Sequence, residues 1–320
     1  MQRLFLDNAA VHSLLAVTTD AALAAHGHVG RGDKIAVDGA AVQAMRTAFD
    51  RVDVAAVVVI GEGEKDEAPL LFAGERLGTG RGPALDVAVD PVDGTRLAAQ
   101  NLPDAVAVLA VAPAGAFFDP GPVFYLEKLV TSGNAGRLSL SRPLTENLHE
   151  LARALDKPLA EVRVAVQSRP RNQRYIDEAT AVGARVLQFA DGDVAVALRA
   201  ARVDGDIDLL IGIGGSPEGV LTSAAVRAVN GHMEARLAPQ HPAEIARARS
   251  AGLSTERILD LDDLIDGDGY FFLTAITDGD VLAGVSVVDS AGRGTTATTD
   301  SWVIDPHRGI RRFTLTRQRG

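Results

Sequence analysis

The stretch "DVAVDPVDGTRLAAQ", residues 86–100, sets two carboxylates and a hydroxyl (Asp90, Asp93 and Thr95) at the end of an apolar run. Three other stretches place acids beside a strand end or a glycine turn in the same way: "GRGDKIAVDGAA" (30–41), "IGEGEKDEAP" (60–69) and "GIGGSPEG" (212–219). Carboxylates and backbone oxygens are hard ligands suited to Mg²⁺ or Mn²⁺, and Mg²⁺ is commonly completed by water and a phosphate. Asp38, Glu62, Asp90, Asp93 and Glu218 are thus candidate ligands for two or three such ions. The chain has no cysteine, which excludes disulfides, thiolate ligands and a cysteine nucleophile.

Spacing gives the 86–100 stretch a mechanical reading. If the strand ends at Asp90 and Pro91 opens a turn, Asp93 swings back to the same spot. Gly94 then lets the backbone approach an anion, and the helix that follows presents its N–H groups to a phosphate. A single Asp-Pro-x-Asp-Gly is more often an ordinary turn than a site. Recurrence at four places is what favours chemistry.

The elements that must hold these residues alternate. Continuous apolar runs at 55–60, 84–90, 105–112, 162–167, 207–214 and 270–277 read as strands covered on both faces. Helical patterns lie between them, at 39–50 and 220–229, and an amphipathic helix within 138–161 has Thr145 as its N-cap. Such alternation predicts an α/β protein. At 320 residues the chain exceeds one ordinary domain, and two packed α/β subdomains are expected, 1–145 and 146–320.

Composition excludes other classes. With 47% hydrophobic and 23% charged residues and a mean hydropathy of +0.10, the chain has the balance of a water-soluble globular protein. No apolar run approaches the roughly 20 residues of a membrane span, and the first 26 residues carry no cleavable apolar segment, so a cytoplasmic location is expected. A net charge of −10 argues against nucleic-acid binding, which needs Lys and Arg against phosphates. An acidic protein can still hold an anion through local arginines or through cations bound by its own carboxylates.

The motifs "GRGDK", "IGEGEKDEAP" and "DPVDGT", continued by "AVAVLAV", "YLEKL", "RPR", "DGDVA", "GIGGSPEGV" and "ITDGD", resemble the class II (GlpX-type) fructose-1,6-bisphosphatases over nearly the whole chain. These belong to the lithium-sensitive, metal-dependent sugar and inositol phosphatases. The resemblance implies a layered α-β-α-β-α sandwich, hydrolysis of the 1-phosphate of fructose 1,6-bisphosphate in gluconeogenesis, Mg²⁺ or Mn²⁺ as cofactor, and a homodimer or homotetramer. It places metal ligands at Asp38, Glu62, Asp90, Asp93 and Glu218, and further active-site positions at Lys34 and Asp66. Thr95 paired with Asp38 would orient and deprotonate the attacking water. Contacts to the sugar phosphate would come from Gly94, Thr95, Tyr125, Arg169, Arg171, Asp191 and Asp193.

The chain departs from the family pattern at Asp93, where glutamate is usual, and at Arg169, where "RPR" replaces Lys-Pro-Arg and a planar fork replaces a point charge. The 238–254 segment is shorter than in many relatives, and Ala275 stands where glycine is common. These departures keep open hydrolysis of sedoheptulose 1,7-bisphosphate or another sugar phosphate, with an inactive sugar-phosphate sensor as a further alternative. On the residues alone, "DGD" reads equally well as an acidic helix cap, and Tyr125 as a core aromatic. "GIGGSPEG" is not a dinucleotide fingerprint, because Pro217 replaces its last glycine. "RGD" at 31–33 reads as a turn, and His26 with His28 are too few for a zinc site.

Overall fold

The computed structural model describes residues 2–63, 70–290 and 294–319. Asp7 and Asp33 cap α1 (Asn8–His26) and α2 (Lys34–Phe49) by accepting hydrogen bonds from Ala10 N (2.8 Å) and Ala36 N (3.0 Å), which satisfies an orphan donor at each helix start. There follow β1 (Ala55–Ile60), β2 (Arg76–Leu77), β3 (Ala84–Asp93), α3 (Thr95–Ala99) and β4 (Val106–Pro113). Next come β5 (Tyr125–Thr131), α4 (Leu144–Ala154), β6 (Arg163–Gln167), α5 (Gln173–Ala181), β7 (Arg185–Phe189), α6 (Asp193–Ala201), β8 (Leu209–Gly215), α7 (Ser216–Ala228), β9 (His232–Leu237), α8 (Pro242–Ser250) and α9 (Leu261–Leu264). The last strands are β10 (Tyr270–Ala275), β11 (Ser286–Ser290), β12 (Gly294–Asp305) and β13 (Gly309–Arg319). The α/β class expected from the alternating pattern is the one observed.

Two compact units form, one from Gln2–Phe117 with the chain from Gly267 onward, the other from Phe118–Asp266. A single boundary near residue 145 does not describe this division. Leu144, Leu148 and Leu151 of α4 pack in one core with Val164 of β6 and Leu209 of β8, so the helix belongs inside the second unit. The first unit draws on both ends of the chain because β10 lies between β4 and β12 in its sheet.

In the first unit the strand order is β11-β12-β10-β4-β3-β1-β2, with β13 also on β12. β1 and β3 are parallel, whereas β4, β10 and β12 run antiparallel to their neighbours. Leu14 and Leu15 of α1 and Met45 and Phe49 of α2 are fully buried and share a core with Val87, Leu109 and Phe272 of the sheet. The "VDGAA" segment is helical rather than a turn before a helix. Asp33 starts α2 five residues earlier than the apolar pattern suggests, and the helix runs through Gly39 at a cost of about 1 kcal/mol relative to alanine.

The second unit orders its strands β7-β6-β8-β5-β9, with β6, β7 and β8 parallel and β5 antiparallel to β8 and β9. Side chains alternate across a strand: Leu129 of β5 faces the α4/α5 core, and Lys128 beside it reaches α6. Helices therefore cover both faces, which is why these strands read as continuous apolar runs. Thr145 does not cap α4; the helix starts one residue earlier, after Pro143, a residue whose fixed φ suits a helix entry.

One buried charge ties this unit together. Asp208, 6% exposed, accepts from Lys157 Nζ (2.7 Å), Arg163 Nη2 (3.2 Å) and the Arg163 backbone N (2.8 Å). Burial pushes its carboxyl up, but the hydrogen bonds and charges of Arg163 and Lys157 outweigh this and hold it below its ordinary value. A depressed folded-state pKa means that the stabilisation is whole above the ordinary carboxylate range and is lost as pH falls through the depressed value. Asp208→Asn is expected to cost about 3 kcal/mol at neutral pH in urea unfolding, with the gap to wild type closing at acid pH. A gap of constant size from neutral to acid pH would contradict this role.

Candidate active site

In the first unit the candidate residues collect at one edge of the sheet. Ile60, the last residue of β1, pairs with Ala88 of the parallel β3, so Glu62, two residues past the end of β1, and Asp90, two residues further along β3, lie toward the same edge. β3 does not stop at Asp90. It continues to Asp93, and the three steps from Asp90 to Asp93 oppose two steps from Val108 to Val106 on β4. This is a β-bulge, and it accommodates Pro91 because a bulge leaves a residue outside the hydrogen-bond ladder.

The bulge aims the acids. Asp90 is half-buried and its Oδ1 accepts from Val92 N (2.9 Å), whereas Asp93 is buried. Gly94 follows with φ +85°, and a Cβ there would lie 2.9 Å from Leu97 Cδ1, so both conformation and space require glycine. Thr95 opens α3 and donates its hydroxyl to Val92 O (3.0 Å). At five residues α3 is a single turn, too short to carry the helix-dipole contribution expected from the sequence.

Asp38 lies one turn after Lys34 on α2, on the same helix face. Lys34 is exposed and Asp38 half-buried, and burial pushes the Asp38 carboxyl above its ordinary value. The start of this helix is fastened to the end of α3 by Gly30 N to Ala98 O (3.1 Å) and Gly32 N to Ala99 O (2.8 Å). The first unit thus brings Lys34, Asp38, Glu62, Asp90, Asp93, Gly94 and Thr95 onto α2, α3 and the strand ends they adjoin. Asp66 lies outside the described residues.

The second unit has its own edge. The C-terminal ends of the parallel β6, β7 and β8 share it, which is where open α/β sheets place ligands. Tyr125 pairs with Gly215 and so starts β5 there. Arg169 lies 3.4 Å from Asp191. The Arg171 guanidinium lies over the Tyr125 ring, 4.5 Å from its centre, while its Nε donates to Ile213 O (3.0 Å). Tyr125 is half-buried under this cation and is not a core aromatic. The "DGD" acids do not cap α6: Gly192 is the N-cap, with φ +73°, and Asp193 begins the helix.

Asp193 instead forms a buried ion pair with Lys128, 2.5 Å, in which the two side chains are 7% and 3% exposed. The end of β8 is shaped around these charges. A Cβ on Gly214 would stand 2.5 Å from Asp193 Oδ2 and 3.0 Å from Lys128 Nζ, and one on Gly215 only 1.8 Å from Glu218 Oε2. Burial foremost, then the charge of Asp193, pushes the Glu218 carboxyl up, with Lys128 opposing.

Three oxygens here, Asp193 Oδ1, Ser216 Oγ and Glu218 Oε2, are shielded from solvent and lack a hydrogen-bond partner among the described residues. Such acceptors fit a hard cation or a polyol hydroxyl. No cluster of three or more acids or histidines able to hold a metal ion occurs among the described residues.

Sequence reading missed Lys128, Asn172 and Ser216. A lysine inside an otherwise apolar strand was the available signal for the first. Asn172, fully buried, accepts from Ile213 N (2.7 Å) and donates to Gln167 O (3.1 Å) and Ile213 O (3.2 Å). It pins the "RPR" turn to β8, a role that only the fold reveals.

Comparison with known proteins agrees with these motifs. Residues 8–318 match the family described as bacterial fructose-1,6-bisphosphatase, glpX-encoded. The chain is 43% identical over 313 residues to "Fructose-1,6-bisphosphatase 1 class 2" of Escherichia coli (strain K12), covering 93% of this chain and 91% of that protein. "Fructose-1,6-bisphosphatase class 2" of Escherichia coli O6:H1 and that of Shigella flexneri match with the same identity and coverage.

The Lys128–Asp193 pair yields a stability prediction. Lys128→Met leaves a buried carboxylate uncompensated and is expected to cost about 3–5 kcal/mol in denaturant unfolding. Adding Asp193→Asn removes the orphan charge and should recover more than half of that loss. A double variant no more stable than Lys128→Met would show that the pair is not the reason.

Proposed function

The chain belongs to the glpX-encoded bacterial fructose-1,6-bisphosphatases, and from that membership we propose that it hydrolyses the 1-phosphate of fructose 1,6-bisphosphate, giving fructose 6-phosphate and phosphate. The observation that carries this reading is the set of carboxylates at the strand ends of both units, held by a bulge in one and by the glycines that end β8 in the other. Class II fructose-1,6-bisphosphatases are metal-dependent phosphatases, and we assign Mg²⁺ or Mn²⁺ here, two or three ions, with Asp38, Glu62, Asp90, Asp93 and Glu218 as the residues that would hold them on the strength of the family resemblance, since no three of these acids stand together as a ready-made cluster among the described residues. Bound at these oxygens, the ions supply neutralising charge for the phosphoryl group and a water of lowered pKa.

The chain's own residues do the rest. Thr95, with its hydroxyl already on Val92 O, orients the attacking water, and Asp38 takes its proton. Gly94 offers close backbone approach to the phosphate. Lys34 and Asp66 complete the reacting end in this reading. In the same reading Arg169 and Arg171 would grip the other phosphate as planar forks, Tyr125 supports Arg171, and Asp191 and Asp193 would accept from sugar hydroxyls.

No helix among the described residues is long and apolar enough to cross a membrane. We place the enzyme in the cytoplasm, in gluconeogenesis, as a homodimer or homotetramer. Arg169 where lysine is usual also favours testing sedoheptulose 1,7-bisphosphate, which presents the same reacting phosphate on a longer sugar.

Phosphate release from both bisphosphates and from inositol 1-phosphate is the test, and fructose 1,6-bisphosphate is expected to have the highest kcat/KM. Preference for the sedoheptulose ester would keep the chemistry and overturn the substrate. Thr95→Ala should lower kcat about a hundredfold or more with little change in KM, since its role lies in the transition state. An unchanged kcat would remove Thr95 from the mechanism.

A further inference from the structure

A second set of charges lies on the opposite face of β5. Glu127 precedes Lys128, so its side chain points away from α6 and toward α5. It is 6% exposed and accepts from Tyr175 Oη, from Arg174 Nη2 (2.9 Å) and from Arg236 Nε (3.0 Å) and Nη2. Cross-strand pairing of Glu127 with Arg236 on β9 fixes one guanidinium, and α5 delivers the other. These groups line a cavity of about 150 Å³ that also receives Arg142, Asn147 and Glu178.

The charges along this cavity do not cancel. Three guanidinia face two carboxylates, in a chain whose overall charge is −10. Glu127 is already committed to Arg174 and Arg236, and one carboxylate cannot use up two guanidinia with five N–H donors each. Arg142 has no ion pair or side-chain hydrogen bond among the described residues. Pro143 and Leu144, at the N-terminal end of the eleven-residue α4, form part of the same wall and add the positive end of a helix.

The cavity is also small. Pockets for drug-sized ligands run to about 300–1,000 Å³, so this one has room for a single compact group. Guanidinium forks match tetrahedral oxyanions two bonds at a time. None of the lining residues is assigned above to substrate or metal. We propose that this cavity is a second anion site, taking one phosphate group, either inorganic phosphate or the phosphate of a small monoester, between Arg142, Arg174 and Arg236.

Tungstate is the probe, because it mimics phosphate and scatters anomalously. Crystals of the full chain grown in millimolar tungstate are expected to show an anomalous peak within hydrogen-bond reach of at least two of the three guanidinia. Arg142→Glu, at an exposed position, should abolish that peak while leaving any peak at Arg169 and Arg171. Arg142→Ala should weaken it, with about tenfold more tungstate needed for the same occupancy. Competition separates the sources: displacement by inorganic phosphate and not by phenyl phosphate identifies the free ion, and displacement by both admits a monoester. No peak in the cavity of the wild type, or one that Arg142→Glu leaves in place as an adventitious ion only, overturns the proposal. Neither result bears on fructose 1,6-bisphosphate turnover.

Discussion

Like charges that approach one another away from water must be compensated, and this constraint shapes the candidate active site more than any single contact does. In the second unit the charge of Asp193, after burial, raises the cost of ionising Glu218, and Lys128 answers from the neighbouring strand. One lysine serves two acids, so the compensation is incomplete. Oxygens of both acids remain without a partner among the described residues, and a fold that tolerates this has left room for something positive or for a hydrogen-bond donor.

The backbone makes that arrangement possible. Gly214 and Gly215 stand where any side chain would strike the carboxylates, and Asn172 braces the arginine turn against the same strand. In the first unit a bulge does the comparable work, admitting Pro91 inside a strand so that Asp90 and Asp93 straddle the irregularity. Rigid strand ends hold the acids, and the turns beyond them carry the groups that handle substrate. Such sites are more sharply defined than sites carried wholly on loops.

Much of this was legible in the residues. The apolar runs at 55–60 and 84–90 fall on strands, as does that at 162–167 apart from its first residue, and the four acid-bearing stretches contain every metal-ligand candidate. What escaped was non-local. The extension of β3 through Pro91 depends on its pairing with β4, and the helical state of "VDGAA" on a cap at Asp33 that outweighs the turn signal of Asp-Gly. β13 alternates Arg and Thr with single apolar residues, as a strand exposed along one face does, and β12 is Thr-rich with only the short apolar run 302–304, so neither shows a long continuous run. The division into units could not be read near residue 145 because the first sheet recruits β10 from beyond the second unit.

The central claim is that the strand-end carboxylates hold divalent ions which the hydrolysis requires. The most direct measurement is phosphate release from fructose 1,6-bisphosphate by metal-stripped enzyme, followed as Mn²⁺ or Mg²⁺ is added back, with Mn²⁺ binding titrated in parallel for wild type and for Asp90→Asn and Glu218→Gln. The account predicts no turnover without metal, recovery on addition, and loss of both binding and turnover in each variant while thermal unfolding shows a folded chain. Full turnover in the presence of EDTA, or variants that bind Mn²⁺ and turn over as wild type does, would contradict it.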